Sequence, residues 1–156
     1  MRDIRLLLDN IRSVHNVGSI FRTAETAGVN RIYCLGTTPT PNDRFGRKRK
    51  DLAKVALDAE DLVSWEYLEN EATLVRRLKK EGFQIVAVEQ AVGSIDYKKV
   101  EPNTRCLVIL GNEIGGISKS LLKKADVIAE IHLKGQKESL NVSVAAGIIL
   151  FQMFGK

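Results

Sequence analysis

Residues 106–118 read Cys106-Leu107-Val108-Ile109-Leu110-Gly111-Asn112-Glu113-Ile114-Gly115-Gly116-Ile117-Ser118. Five apolar residues in a row, with no polar alternation, describe a strand covered on both faces, as in a parallel sheet between helices. Gln84–Val88 repeats that pattern. Outward from these two, Ile4–Leu8, Arg31–Leu35 and Ile128–Leu133 read as strands, with a short one near Val63–Trp65. Between them lie helical patterns. From about Asn16, residues Val17, Ile20, Phe21, Ala24 and Ala27 share one face up to Gly28. Residues 51–59 are mostly helical. Leu68, Ala72, Val75 and Leu78 form the apolar stripe of a helix over 68–81 that stops before Gly82. A last helix covers about 139–154. Strands alternating with helices predict a single α/β domain over 1–156 with a mostly parallel sheet. Ligands of such sheets gather beyond the carboxyl ends of the strands.

The chain's 156 residues suit one domain with a core that needs no staples. Hydrophobic residues at 44% and charged residues at 28% exclude a disordered or fibrous chain. The longest apolar run, Val144–Phe151, contains Gly147 and is too short to span a bilayer. The opening Met1-Arg2-Asp3-Ile4-Arg5 lacks a secretory pattern. Cys34 and Cys106 sit inside apolar runs, away from any metal-ligand cluster. They read as small core residues of a cytoplasmic protein.

The net charge of +5 is concentrated. Arg44, Arg47, Lys48, Arg49 and Lys50 fall in seven residues without an acid, and the remainder of the chain is neutral. A basic loop on a neutral body predicts contacts to nucleic-acid phosphates.

Three segments carry polar residues where ligands are expected. In the first, residues 9–24, Asn16 is placed as an N-cap, Gly18 allows close backbone approach, and Arg22 lies on the polar side of the helix. In the second, three glycines within residues 111–116 follow the most hydrophobic strand, without the Gly-Lys-Ser/Thr ending of a phosphate loop or the GxGxxG fingerprint. In the third, a strand, a Gly-containing loop and an apolar helix follow one another through residues 131–146. Between Leu140 and Phe154 only Asn141, Ser143 and Gln152 are plainly polar, so the helix must be enclosed, in part by a second subunit. Asn141 and Ser143 at its buried N-terminus then need partners.

Together these segments resemble the SpoU/TrmH family of SPOUT RNA methyltransferases. N-x-G-x-x-x-R-x-A is matched by Asn16, Gly18, Arg22 and Ala24; G-N-E-x-x-G by Gly111, Asn112, Glu113 and Gly116; and S-L-N-V-S-x-A by Ser139 through Ser143 and Ala145. The resemblance covers essentially the whole chain and lacks the appended RNA-binding domain of many relatives. It implies an α/β fold with a C-terminal trefoil knot, S-adenosylmethionine (SAM) as cofactor, and a homodimer joined through the C-terminal helix and knot. The implied reaction is methyl transfer to an RNA ribose 2′-hydroxyl, with tRNA the leading substrate over rRNA.

By the same resemblance, Gly111, Ile131 and Leu140 contact the cofactor. Arg22 lies nearest the reacting hydroxyl, in an active site that draws residues from both subunits, and Asn16, Glu113, Ser139 and Asn141 orient the reacting groups. Arginine is a poor base, so Arg22 is read as gripping a phosphate that accepts or relays the proton. His15 and His132 match no motif position and read as loop or packing residues. The competing reading is an RNA-binding module of the same fold without catalysis; the intact Asn16, Arg22, Glu113 and Asn141 set argues against it.

Overall fold

A computed structural model describes residues 1–155. In chain order the elements are β1 (Asp3–Asp9), α1 (Val14–Thr26), β2 (Arg31–Leu35), α2 (Lys50–Ala56), α3 (Ala59–Leu62), β3 (Ser64–Leu68), α4 (Ala72–Lys80), β4 (Gln84–Val88), β5 (Ile95–Asp96), β6 (Arg105–Gly111), α5 (Lys119–Lys124), β7 (Val127–Glu130) and α6 (Val142–Phe154). The seven strands form one sheet in the order β3-β2-β1-β6-β4-β7-β5, and every pairing is parallel.

β6 lies at the centre, between β1 and β4, and its Cys106–Leu110 run is wholly buried. Alternate residues of each strand feed opposite cores. Leu6, Leu8, Ile32, Cys34 and Val108 meet Val17, Ile20 and Phe21 of α1, Leu52 of α2 and Ile149 of α6. Leu7, Tyr33, Ile85, Leu107 and Ile109 meet Leu74, Val75 and Leu78 of α4 and Leu121 of α5. Each of these large side chains contributes roughly 1.5–3 kcal/mol by leaving water, which is why the central strands are apolar without alternation. Cys34 and Cys106 are free and buried, as expected of core residues. Burial pushes both thiols up to about 12, with Asp126 adding to the effect on Cys106. No helix among the described residues is long and apolar enough to cross a membrane.

The structure corrects several local expectations. α1 begins before Asn16: Ser13 is its N-cap, and Ser13 Oγ accepts from Asn16 N at 3.1 Å. Asn16 is therefore inside the first turn, and its side chain is free for another partner. Leu68 belongs to β3, paired with Leu35, because Trp65-Glu66-Tyr67 extends the strand. α4 starts only after Asn70 Oδ1 has accepted from Ala72 N at 2.7 Å. The helical stretch over 51–59 is broken where Leu57 and Asp58 take left-handed φ values of 51° and 71°. β7 ends at Glu130, leaving Ile131–Leu133 in a loop. α6 starts at Val142, and Ser139 and Leu140 precede its cap. β5 and α5 are too short to have left a period in the sequence.

Candidate active site

The loop after β6 is held by a dense set of hydrogen bonds. Register places Gly111 beside Asp9, so the carboxyl ends of β1 and β6 coincide. Asn112 and Gly116 close the loop by exchanging backbone hydrogen bonds of 3.1 and 2.9 Å. Inside it, Asn112 Oδ1 accepts from Ile114 N at 2.8 Å and from Gly115 N at 3.0 Å. Asn112 Nδ2 donates to the Asn10 carbonyl at 2.6 Å. The buried Asp9 accepts from Ser118 N at 2.8 Å, and Glu89, just past β4, accepts from Ile117 N at 2.9 Å. Carboxyl ends of three adjacent strands thus fix one loop.

The two key glycines are required by contact. A Cβ on Gly111 would run into the Gly116 carbonyl carbon and the Ile117 nitrogen. Gly116 sits at φ +68°, and a Cβ there would strike the Glu89 carboxylate.

This loop forms one wall of a cleft of about 740 Å³, a volume ordinary for a small-molecule site. Val88 to Ala91 follow β4 into it, Ile131 and Leu133 enter after β7, and Glu138 to Leu140 close it ahead of α6. Gly111, Ile131 and Leu140, expected at the cofactor, all line this cleft, as do Glu113 and Ser139. Its floor is apolar, through Leu110, Ile131, Leu133 and Val142, while Glu89, Asn112 and Glu113 supply polar groups. Such a mixture suits a flat nucleoside-type ligand with a polar tail.

Asn16 reaches this region from another element. Its Nδ2 donates to Glu113 Oε1 at 2.9 Å, although 97 residues separate the two. Asn16 is buried and Glu113 exposed, so the buried amide holds a carboxylate at the cleft's rim.

Arg22 lies elsewhere. It is exposed and lines a second hollow, of about 830 Å³, with His15, Ser19, Thr23 and Lys54. Ser143 and Val144 border that hollow, whereas Leu140, Val142 and Ala145 border the cleft. Within one protomer, the first turn of α6 therefore separates Arg22 from the cleft. Asn141 is exposed, and its Oδ1 accepts from Ser143 N at 2.9 Å and Ser143 Oγ at 2.6 Å. In the single chain the α6 N-terminus is exposed at Asn141 rather than buried, and the Asn141 side-chain carbonyl pairs locally with Ser143.

The basic loop is tied down more than its sequence suggests. Arg47 pairs with Asp43 at 3.2 Å and Arg49 with Asp51 at 2.9 Å. Arg49 in turn holds Asp51 below the usual carboxylate range. Lys48 reaches Asp61 at 2.8 Å and the buried Glu60 at 3.1 Å. Among the described residues, Arg44 and Lys50 make no ion pair within 4.0 Å, leaving them the cations of the run without an internal carboxylate.

Sequence reasoning passed over Asp9, Asn10, Ser13 and Glu89. Glu89 had a signal, an acid at the carboxyl end of an all-apolar strand in a parallel sheet.

The family model for the SpoU rRNA methylase family matches residues 3–151. A tRNA (guanosine(18)-2′-O)-methyltransferase from Aquifex aeolicus is 30% identical over 151 residues, covering 97% of this chain and 68% of that protein. A TrmH family tRNA/rRNA methyltransferase from Staphylococcus saprophyticus is 31% identical over 97% of this chain, which spans 58% of its length. The AdoMet-bound rRNA methyltransferase of Sinorhizobium meliloti superposes with a TM-score of 0.87 at 27% identity, over 97% of this chain and 56% of that one. On the matched motifs, the sheet and these relatives together, the chain belongs to the SpoU rRNA methylase family.

Proposed function

We propose that this chain transfers a methyl group from SAM to a ribose 2′-hydroxyl of RNA, with tRNA as the substrate. One observation carries the reading. The loops of the second and third motifs line a single nucleoside-sized cleft, and the Asn16–Glu113 hydrogen bond ties the first motif to its rim. Relatives named for tRNA and rRNA methylation support it.

The residues present fit SAM. Gly111, Ile131 and Leu140 would hold its adenosine through backbone groups and apolar contact, with Glu113 and Ser139 at the polar edge. When bound, the sulfonium supplies an activated methyl group, so the protein's tasks are positioning and proton removal. A guanidinium is a hydrogen-bond donor only, so Arg22 serves as an anchor for an RNA phosphate beside the reacting hydroxyl. The hydroxyl proton leaves to or through that phosphate. Asn16 orients Glu113, and Asn141 holds the first turn of α6 between the two hollows.

Catalysis needs Arg22 and the cleft together, and a homodimer through α6 supplies the arrangement: Arg22 of one protomer faces the cleft of its partner. Val144 and Phe151 on α6, each about half exposed, and Leu140 just before it give an apolar face for that contact. A C-terminal trefoil knot is part of the same proposal. It is supported by the strand order, in which β7 enters between β4 and β5 after β6 has paired with β1. Two free buried thiols suit a reducing cytoplasm.

Calorimetry with SAM, followed by transfer of labelled methyl to bulk tRNA, tests the proposal. It expects saturable one-to-one binding and label in RNA; a protein that binds no SAM would refute it.

A further inference from the structure

The geometry points to a nucleobase-stacking platform at Phe45, which holds an unpaired base of the RNA substrate beside the target nucleotide. The inference rests on the RNA-methylation reading and names part of how the substrate is held.

Phe45 stands at the tip of a short hairpin and is 66% exposed. Asp43 builds the tip: its Oδ1 accepts from Phe45 N at 2.8 Å and Arg47 N at 3.0 Å, and its Oδ2 accepts from Arg47 Nε at 3.2 Å. Asp43 N donates to the Arg47 carbonyl at 2.7 Å, and Asn42 bridges Lys48. Gly46 at φ +77° turns the chain back. A fixed hairpin therefore displays a largely exposed aromatic ring that belongs to neither hydrophobic core.

The ring is also flanked by charge. Arg44 Cζ lies 4.8 Å and Arg47 Cζ 5.0 Å from its centroid. Proteins that bind single-stranded RNA combine these parts, an aromatic or guanidinium plane for the base and cations for the backbone. Both guanidiniums lie over the ring, and Arg44, with no internal carboxylate partner, is the one that moves off it to a phosphate and yields its place to the base. The hairpin's position suits this role. It leads into α2 at Lys50, and Lys54, one turn on and about 6 Å along the axis, lines the hollow that holds Arg22. RNA with its target sugar near Arg22 that follows α2 back past Lys50 would come to the hairpin.

The test uses a short single-stranded RNA carrying 2-aminopurine, whose fluorescence falls on stacking, together with bulk tRNA. Phe45→Leu, an exposed substitution that leaves the hairpin's hydrogen bonds intact, should weaken RNA affinity about 5- to 150-fold, the range that corresponds to one stacked base, and abolish quenching. Phe45→Trp should retain both. Arg44→Ala should instead flatten the slope of log affinity against log salt by roughly 0.7, which Phe45→Leu leaves alone. Wild-type affinity and KM for tRNA in Phe45→Leu would overturn the platform while methylation of that tRNA keeps the proposed function standing. Ring-dependent quenching in a protein that methylates no RNA would support the platform and remove the function.

Discussion

Asn16 Nδ2 donates to Glu113 Oε1 at 2.9 Å, joining the first turn of α1 to the loop after β6. The bond is possible because Ser13, three residues earlier, already caps the helix. Asn16 is thereby released from local duty, and its amide reaches across to the rim of the cleft.

Glu113→Ala should therefore damage catalysis more than stability. A hydrogen bond to a charged group contributes roughly 1.5–3 kcal/mol, which would appear as about a 10- to 150-fold loss of methylation if it is spent on orientation. Glu113 is exposed, so the melting temperature should barely move, and Glu113→Gln should recover part of the activity. Steady-state kinetics beside thermal melting checks this; parallel losses in both would make the bond merely structural.

The glycines of the same loop should behave unequally. At Gly116 a side chain meets a left-handed φ and the Glu89 carboxylate, so Gly116→Ala should cost about 1–3 kcal/mol and weaken SAM binding. Gly115 has only Asn112 Oδ1 at 4.0 Å near its would-be Cβ, so Gly115→Ala should be tolerated. Denaturant melts and SAM titrations of the two variants make the comparison.

Much of this architecture was legible because its signals are local. Gln84–Val88 and the Cys106–Leu110 run must be apolar to be covered on both faces, and both appear as strands in the structure. α5 was not legible, since Lys119–Lys124 is six residues long and buries only Leu121. Asn16 looked like a cap because capping is the local use of an asparagine; its actual partner is distant in sequence, which no local pattern reveals. The ion pairs of the basic loop are hidden from a local reading for a related reason. Asp43 and Asp51 flank the run of cations, and Glu60 and Asp61 lie about ten residues beyond it, so the run by itself shows only positive charge. Gly111, Ile131 and Leu140 came from family motifs, and the structure brings them to one cleft.

A composite site makes a complementation prediction. Arg22→Ala and Ile131→Glu, each inactive alone, should restore about a quarter of wild-type activity when co-expressed, because half of the dimers are mixed and hold one intact site. No recovery, with mixed dimers shown by mass, would place Arg22 and the cleft in one protomer.

Lys48 ties the basic loop to α3 through Glu60 and Asp61. Its hydrogen bond to Asp61, and then its ion pair with Glu60, raise its pKa above the ordinary 10.5. The stabilisation is therefore fully present below about 10.5 and lost as pH rises through the higher folded value. Lys48→Met should melt earlier than wild type at neutral pH, and the gap should close only in strong alkali. A gap that closes near pH 8 would assign the effect to another group.

The most direct test is the identity of the product. tRNA methylated with labelled SAM is digested to nucleosides and resolved by mass spectrometry, for wild type and Arg22→Ala. Wild type should yield a 2′-O-methylnucleoside and Arg22→Ala none, with SAM affinity nearly unchanged between them. Label on a base, or undiminished 2′-O-methylation by Arg22→Ala, would contradict the proposed function.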